Sequence, residues 1–249
     1  MRRSPVSRWW NNCSQEPWNH NLHYHRVIVN VIPPDCRRAL DIGCGQGALT
    51  RDLRRFVPEV AGIDRDERSI ALARAHAGAA GIGYLRGDFQ AAPIRPCSVD
   101  LITSVASLHH MDAATGLRRM ADLLRPGGAL VVVGLARGAS PSDLLLALAA
   151  AVGHRAHLAA GWWRRRRRRG AEAPGTQAPD ARAPDDPPPD RAYTSPVVWP
   201  PSLSYRQARR LAERVLPGVR YRRRLYWRYT LIWVKPSSGL DGGQPLATQ

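Results

Sequence analysis

Lysine is almost absent from this chain: Lys235 is the only one among 37 basic residues. The remaining cations are arginines, and with the heavy use of Ala, Pro and Gly this points to nucleotide-composition bias as much as to selection for phosphate binding. Cysteine is scarce too. Cys13, Cys36, Cys44 and Cys97 form no C-x-x-C pair and no disulfide framework, which excludes a stapled secreted scaffold and reads as reduced thiols. No apolar stretch follows Met1-Arg2-Arg3, so a secretory leader is not supported. The longest apolar run, Leu144 to Val152, is too short to cross a bilayer. No targeting tail is evident, and the cytoplasm is the expected compartment. A metal-ligating set is also missing: one helix cannot aim His20, His23 and His25 at a single ion, and no Cys or carboxylate completes them. No metal is expected.

The formal charge of +17 is unevenly placed. Residues 37–136 carry 13 Arg against 10 acids, a net of +3, whereas residues 137–249 carry 20 basic and 8 acidic residues, a net of +12. Most of the imbalance therefore lies outside the part of the chain that reads as a folded core. An apolar content of 44% is enough for that core, and 249 residues suit one α/β domain with attachments.

The most informative segment is Ala39-Leu40-Asp41-Ile42-Gly43-Cys44-Gly45-Gln46-Gly47. It reads as an apolar strand entering a Gly-rich turn, followed by a helix from Ala48 to Phe56. Glycine lets backbone approach a ligand closely, and a helix start offers unpaired N–H groups to a polar ligand. Val60-Ala61-Gly62-Ile63-Asp64 then reads as a second strand ending in a carboxylate suited to ribose hydroxyls. Gly43-x-Gly45-x-x-Ala48 also satisfies a dinucleotide fingerprint, so the loop alone does not choose the nucleotide.

Further segments narrow the choice. Tyr84 to Phe89 reads as a third strand ending in an acid and an aromatic, and Ser98 to Ser104 as a fourth, with His109-His110 just past it. Leu124-Arg125-Pro126-Gly127-Gly128 turns into a fifth, buried strand over Ala129 to Val133. With Leu40 to Gly47, Gly62-Ile63-Asp64, Gly87-Asp88-Phe89, Asp100-Leu101-Ile102 and Leu124 to Gly128 in this order and spacing, the chain resembles the class I S-adenosylmethionine-dependent methyltransferases. The resemblance is to the small-molecule, ubiquinone/menaquinone-type ("type 11") group, and it covers roughly residues 37–134. It implies a Rossmann-like, doubly wound α/β fold with a mostly parallel seven-stranded sheet and a C-terminal antiparallel strand pair.

The resemblance also implies a set of cofactor contacts for S-adenosyl-L-methionine. Asp41 and the backbone of Gly43, Cys44, Gly45 and Gly47 would hold the methionine end, Asp64 the ribose hydroxyls and Asp88 the adenine amino group. Phe89 would flank the ring, and Arg65 and Ser104 complete the set. Cys44 stands where the family uses a small residue, so a packing role for its side chain is expected rather than nucleophilic chemistry.

The expected organisation is an N-terminal helical cap over 1–36, a cofactor-binding core over 37–136, and a helix plus Arg/Pro-rich insertion over 137–200. A C-terminal helix and strand pair follow over 201–236, then a tail over 237–249. Trp9, Trp10 and Trp18 precede a helix that ends before Pro33-Pro34. Asp66 to Ala79 reads as a helix with acids at its start, and Asp112 to Leu124 as the helix before the fifth strand. Between Trp162-Trp163 and Asp190 runs a stretch with Arg164 to Arg169 and almost no large apolar side chains, expected to be disordered over about 165–192. Ser204 to Glu213 reads as a capped amphipathic helix, and 219–225 and 226–234 as two strands.

Methyl transfer from a sulfonium is an in-line displacement, so positioning and water exclusion can suffice. A base is needed only where the acceptor must lose a proton; His109 and His110 are the candidate catalytic residues. The chain lacks the Asn/Asp-Pro-Pro-Tyr/Phe motif of enzymes that methylate amino groups in DNA or protein. A small organic acceptor is the leading expectation. The alternative is an RNA methyltransferase tracking phosphates with Arg164 to Arg169 and stacking bases on Trp162-Trp163.

Overall fold

The computed structural model describes residues 22–137, 200–224 and 227–237. All of them belong to a unit made of Met1–Arg137 and Val197–Gln249; the other unit, Gly138–Pro196, lies outside the described residues. Trp9, Trp10, Trp18, His20, the apolar run at 144–152, Trp162-Trp163, Arg164 to Arg169 and the segment after 237 likewise lie outside the described residues.

The elements run α1 (Leu22–Val29), β1 (Arg38–Ile42), α2 (Ala48–Arg54), β2 (Glu59–Asp64), α3 (Glu67–Ala75), β3 (Ile82–Arg86), β4 (Val99–Val105), α4 (Ala113–Leu123), β5 (Leu124–Leu135), α5 (Tyr205–Val215), β6 (Arg220–Arg223) and β7 (Arg228–Val234). The strands form one seven-stranded sheet in the order β3-β2-β1-β4-β5-β7-β6. β1 to β5 pair in parallel, while β7 runs antiparallel to both β5 and β6. The sheet is thus mostly parallel with an antiparallel C-terminal pair, as the sequence leads one to expect. The strand order reverses between β1 and β4, which creates a crevice outside the carboxyl ends of the parallel strands.

Strand periodicity sorts the core into two layers, because successive side chains point to opposite faces. Leu40, Ile42, Ile102, Leu130 and Val132 share one buried cluster with Leu117, Met120 and Leu123 of α4 and Ala208 and Ala212 of α5. Their neighbours Ala39, Leu101, Ala129, Val131 and Val133 share the other with Tyr24 and Ile28 of α1 and Leu49 and Leu53 of α2. Burial on both faces explains why β5 reads as a continuous apolar run rather than an alternating one.

Helix boundaries follow local chemistry. The Asp66 and Asp112 side chains accept hydrogen bonds from Ser69 N and Thr115 N, and Ser204 with Gln207 makes a reciprocal capping box at α5. Two elements end well before the sequence indicates, by about a helical turn in one case. α3 stops at Ala75 because His76 turns into an extended conformation and its ring accepts from Gly78 N, leaving a short 3-10 turn over Ala77–Ala79. β3 stops at Arg86 because Gly87 N is bonded to Asp64 O, and Asp88 Oδ1 accepts from Gln90 N, which bends the chain out of the sheet.

Leu130 is fully buried between the layers. Its replacement by Ala is expected to cost about 2–5 kcal/mol of stability with native secondary structure retained. Urea unfolding followed by circular dichroism checks it.

Candidate functional site

The crevice is built from the loop after β1. Gly43 N and Cys44 N both donate to Ile63 O, at 2.8 and 3.2 Å, so the loop is tied to β2 as it leaves the sheet. Gly43 has φ +70, and a Cβ there would fall on the Ser107 side chain. Gly47 has φ +79 and caps α2, and a Cβ there would collide with the Tyr84 hydroxyl. Only glycine meets both the left-handed backbone and the close contact at these positions. Thr50 Oγ1 donates to Gly47 O and therefore accepts from Tyr84, each at 2.7 Å, which packs the underside of the loop. The outer side differs: a Cβ built on Gly45 meets nothing within 4 Å.

The carboxylates converge on this loop. Asp64, at the end of β2, accepts from Gly45 N at 2.8 Å and from Asp66 N at 2.9 Å, one bond to each oxygen. A carboxylate has about four lone-pair sites, so each oxygen keeps one for a further donor. Asp41 lies on the α1 side of β1, 2% exposed, and accepts from Thr103 Oγ1 at 2.8 Å. Burial pushes its carboxyl up to about 7, opposed by the Thr103 bond and the charge of His25. Asp88 is half-exposed, and Arg65 reaches it at 3.9 Å, a solvated contact of little energetic weight.

Three of the sequence-indicated side chains face the packing rather than the crevice. The Phe89 ring is 4% exposed within the core, with the Arg119 guanidinium 5.6 Å from its centroid. Arg119 Nε also donates to Phe89 O, at 2.9 Å, and its Nη2 to Ala92 O. The Cys44 thiol is buried against Gly62, its Sγ donating to Gly45 O, and burial pushes its pKa far up, which removes it as a nucleophile. Ser104 is fully buried and donates to Ser107 Oγ at 2.6 Å, while Ser107 donates to Ile42 O at 2.8 Å. Ser107 thereby ties the end of β4 to the end of β1. Nothing in the sequence singles it out, because the carbonyl to which it donates is 65 residues away.

The chain then turns through Ala106, a non-glycine residue at φ +52 held by its N–H bond to Val133 O at 2.8 Å. A left-handed alanine stores about 1–3 kcal/mol of strain, and such residues cluster at functional sites. It delivers a 3-10 turn over Leu108–His110. The His109 and His110 rings stand 4.1 Å apart. Burial, then His110, then Arg228 at the start of β7 lower the His109 pKa to about 4. His110 is also lowered, by burial, while Asp64 raises it and Arg65 lowers it. His109 Nδ1 is buried with no hydrogen-bond partner, a group that a ligand atom can satisfy. The structure thus brings the loop, Asp64, Asp88 and both histidines to one edge of the sheet.

These residues fit a sulfonium nucleoside donor. The open space over Gly45, the spare lone pairs of Asp64 and the half-exposed Asp88 carboxylate lie where a nucleoside would span β1 to β3. The buried acid Asp41 sits beneath the loop.

Two outcomes follow. Gly47→Val is expected to weaken S-adenosylhomocysteine binding at least about tenfold, since side chain and backbone both clash; calorimetric titration checks it. His109, with a pKa near 4, stays neutral from about pH 5.5 to 8, so its ring signals in a proton–nitrogen NMR titration should not move across that range.

Residues 40–132 match the family described as methyltransferase domain. An uncharacterized methyltransferase of Mycobacterium tuberculosis is 28% identical over 223 residues, covering 89% of this chain and 98% of the relative. A ubiquinone biosynthesis O-methyltransferase of Paracidovorax citrulli is 35% identical over 128 residues, covering 49% of this chain and 54% of the relative. Against that second relative, the chain spans about half of its length. Among solved structures, an S-adenosylmethionine dependent methyltransferase from Mesorhizobium loti aligns at 31% identity with a TM-score of 0.41, over 44% of this chain and 52% of that one. Strand order, glycine loop and matched segment converge: residues 40–132 are a class I S-adenosylmethionine-dependent methyltransferase domain.

Proposed function

We propose that the enzyme methylates a small organic acceptor, with a hydroxyl as the leading class of nucleophile, at the carboxyl edge of the sheet. The observation that carries the reading is the Gly45 N–H bond to Asp64. It turns an open glycine loop and a ribose-gripping acid into one rigid cradle. The hydroxyl preference draws on the ubiquinone O-methyltransferase relative, and the lopsided charge of the chain adds nothing specific for RNA.

Bound in this cradle, S-adenosylmethionine supplies a methyl group on a sulfonium leaving group, open to in-line attack. Asp64 accepts the ribose hydroxyls with its two remaining lone pairs, and Asp88 accepts the exocyclic amine of adenine. Arg65 screens Asp88. Gly43, Gly45 and Gly47 let the backbone approach, and Asp41 faces the cationic methionine end. Phe89 and Ser104 act from behind: Phe89 packs the floor under Asp88, and Ser104 holds Ser107 against the loop. The two histidines divide the acceptor side. A general base works best with a pKa near the operating pH, and His109 is held well below it. His109 therefore orients the acceptor through Nδ1, while His110 is the better proton acceptor of the pair. The free thiols of Cys36, Cys44 and Cys97 suit a reducing cytoplasm, and no helix among the described residues is long and apolar enough to cross a membrane.

Asp64→Ala is expected to weaken S-adenosylmethionine binding by about 2 kcal/mol or more, the loss of charge-assisted bonds to two hydroxyls. Isothermal titration calorimetry decides; unchanged affinity would remove Asp64 from the site. Incubating the enzyme with methyl-labelled S-adenosylmethionine and fractionated metabolites should put label in a small, ether- or chloroform-extractable product. Label appearing in RNA instead would overturn the acceptor assignment.

A further inference from the structure

Between β3 and β4 the chain crosses residues 87–98 without a helix. The first part of this crossing is the turn that carries Asp88. Ala91 N and Ala92 N donate to Asp88 O at 3.1 and 2.9 Å, and Gln90 N donates to Asp88 Oδ1 at 2.9 Å. The last bond ties the carboxylate to its own turn, as aspartates do in Asx-turns. Where the turn goes, the carboxylate goes with it. Such local bonds shape a turn but do not fix its place on the sheet.

Contacts from outside the turn fix that place. Ahead of it, Gly87 N donates to Asp64 O at 2.9 Å. Behind it stands Arg119, half-buried on α4. Arg119 Nε donates to Phe89 O at 2.9 Å, Nη2 donates to Ala92 O, and Cζ lies 5.6 Å from the centroid of the Phe89 ring. One planar guanidinium thus holds two carbonyls of the turn and the ring between them. These hydrogen bonds are charge-assisted, the stronger class. α4 is a firm base for them, because Leu117, Met120 and Leu123 lock it into the core and Asp112 caps its start.

We propose that Arg119 is a positioning residue for the adenine subsite: it fixes the turn so that the Asp88 carboxylate meets the exocyclic amine of the nucleoside. This rests on the assignment of Asp88 to adenine. Arg65 is no substitute, since it is mostly exposed and approaches the carboxylate at 3.9 Å rather than the backbone that carries it. The consequence is selectivity. A carboxylate accepts from an amine and repels a carbonyl oxygen, so its placement separates adenine from the 6-oxo purine. A turn that shifts loses both effects, while the contacts of Asp64 and the glycine loop stay.

S-adenosylhomocysteine and S-inosylhomocysteine, which differ at that amine, are titrated calorimetrically into the full chain and into R119M, D88N and the double variant. The unsubstituted protein is expected to prefer S-adenosylhomocysteine at least about tenfold, and R119M about twofold or less, as for the loss of a hydrogen bond to a charged group. In the D88N background R119M should lower the preference no further. The ratio of the two affinities is insensitive to partial unfolding, which lowers both alike. If R119M weakens both ligands equally and keeps the preference, Arg119 only supports the fold and the proposal is overturned. If D88N keeps the full preference, the assignment of Asp88 fails and the proposal with it. Should R119M not fold, R119K decides: its ammonium lacks the fork and should keep only part of the preference, and a full preference there refutes the clamp.

Discussion

The backbone N–H of Gly45 bonded to the carboxylate of Asp64 is the interaction on which this site depends. It couples the loop leaving β1 to the end of β2 at 2.8 Å, so the two parts of a nucleoside cradle cannot drift independently. The bond is charge-assisted and partly shielded, which places it among the stronger hydrogen bonds available to a protein. It also uses only one lone pair of one oxygen. The acid is therefore anchored without being saturated, a preorganised acceptor rather than one that must be ordered when ligand arrives.

A second set of constraints lies beneath the loop. Ser107 and Tyr84 occupy the volumes that side chains at positions 43 and 47 would need. Their hydroxyls donate, directly or through Thr50, toward backbone carbonyls of the loop. The glycines at 43 and 47 are thus required from below by packing. Ser104 and Cys44 belong to this supporting layer, as does the Phe89 ring under Asp88. Contact with a cofactor and support of its contacts are different tasks, and the motif residues divide between them.

The surroundings of the two histidines are set by electrostatics. Arg228 stands at the first position of β7, opposite Leu135 of β5, and so enters the carboxyl edge because β7 is antiparallel. Burial of His109, then the charges of His110 and Arg228, lower its pKa to about 4. At His110 burial lowers the pKa, while Asp64 raises it and Arg65 lowers it. Two adjacent histidines of the same sequence thereby acquire different chemistry from different neighbours.

Sequence alone determined the mostly parallel core and the glycine turn from Gly43 to Gly47 with Asp64 at the next strand end, because each of these is encoded within a few consecutive residues. A strand's apolar run, a glycine where the backbone must turn left-handed and an acid at a strand end are local signals. The capping box at Ser204 and the antiparallel pair at the C-terminus were legible for the same reason. Tertiary structure decided the rest. Phe89 reads as an exposed aromatic in its motif, yet β3 ends at Arg86 and turns the ring into the core. His25 reads as one member of a histidine run, and only the packing of α1 on α2 sets it against Asp52. Ser107 carries no signal because its partner is a carbonyl across the sheet. Hydrogen bonds and fields between residues far apart in the chain depend on strand register and helix docking, and neither is written in any local stretch of residues.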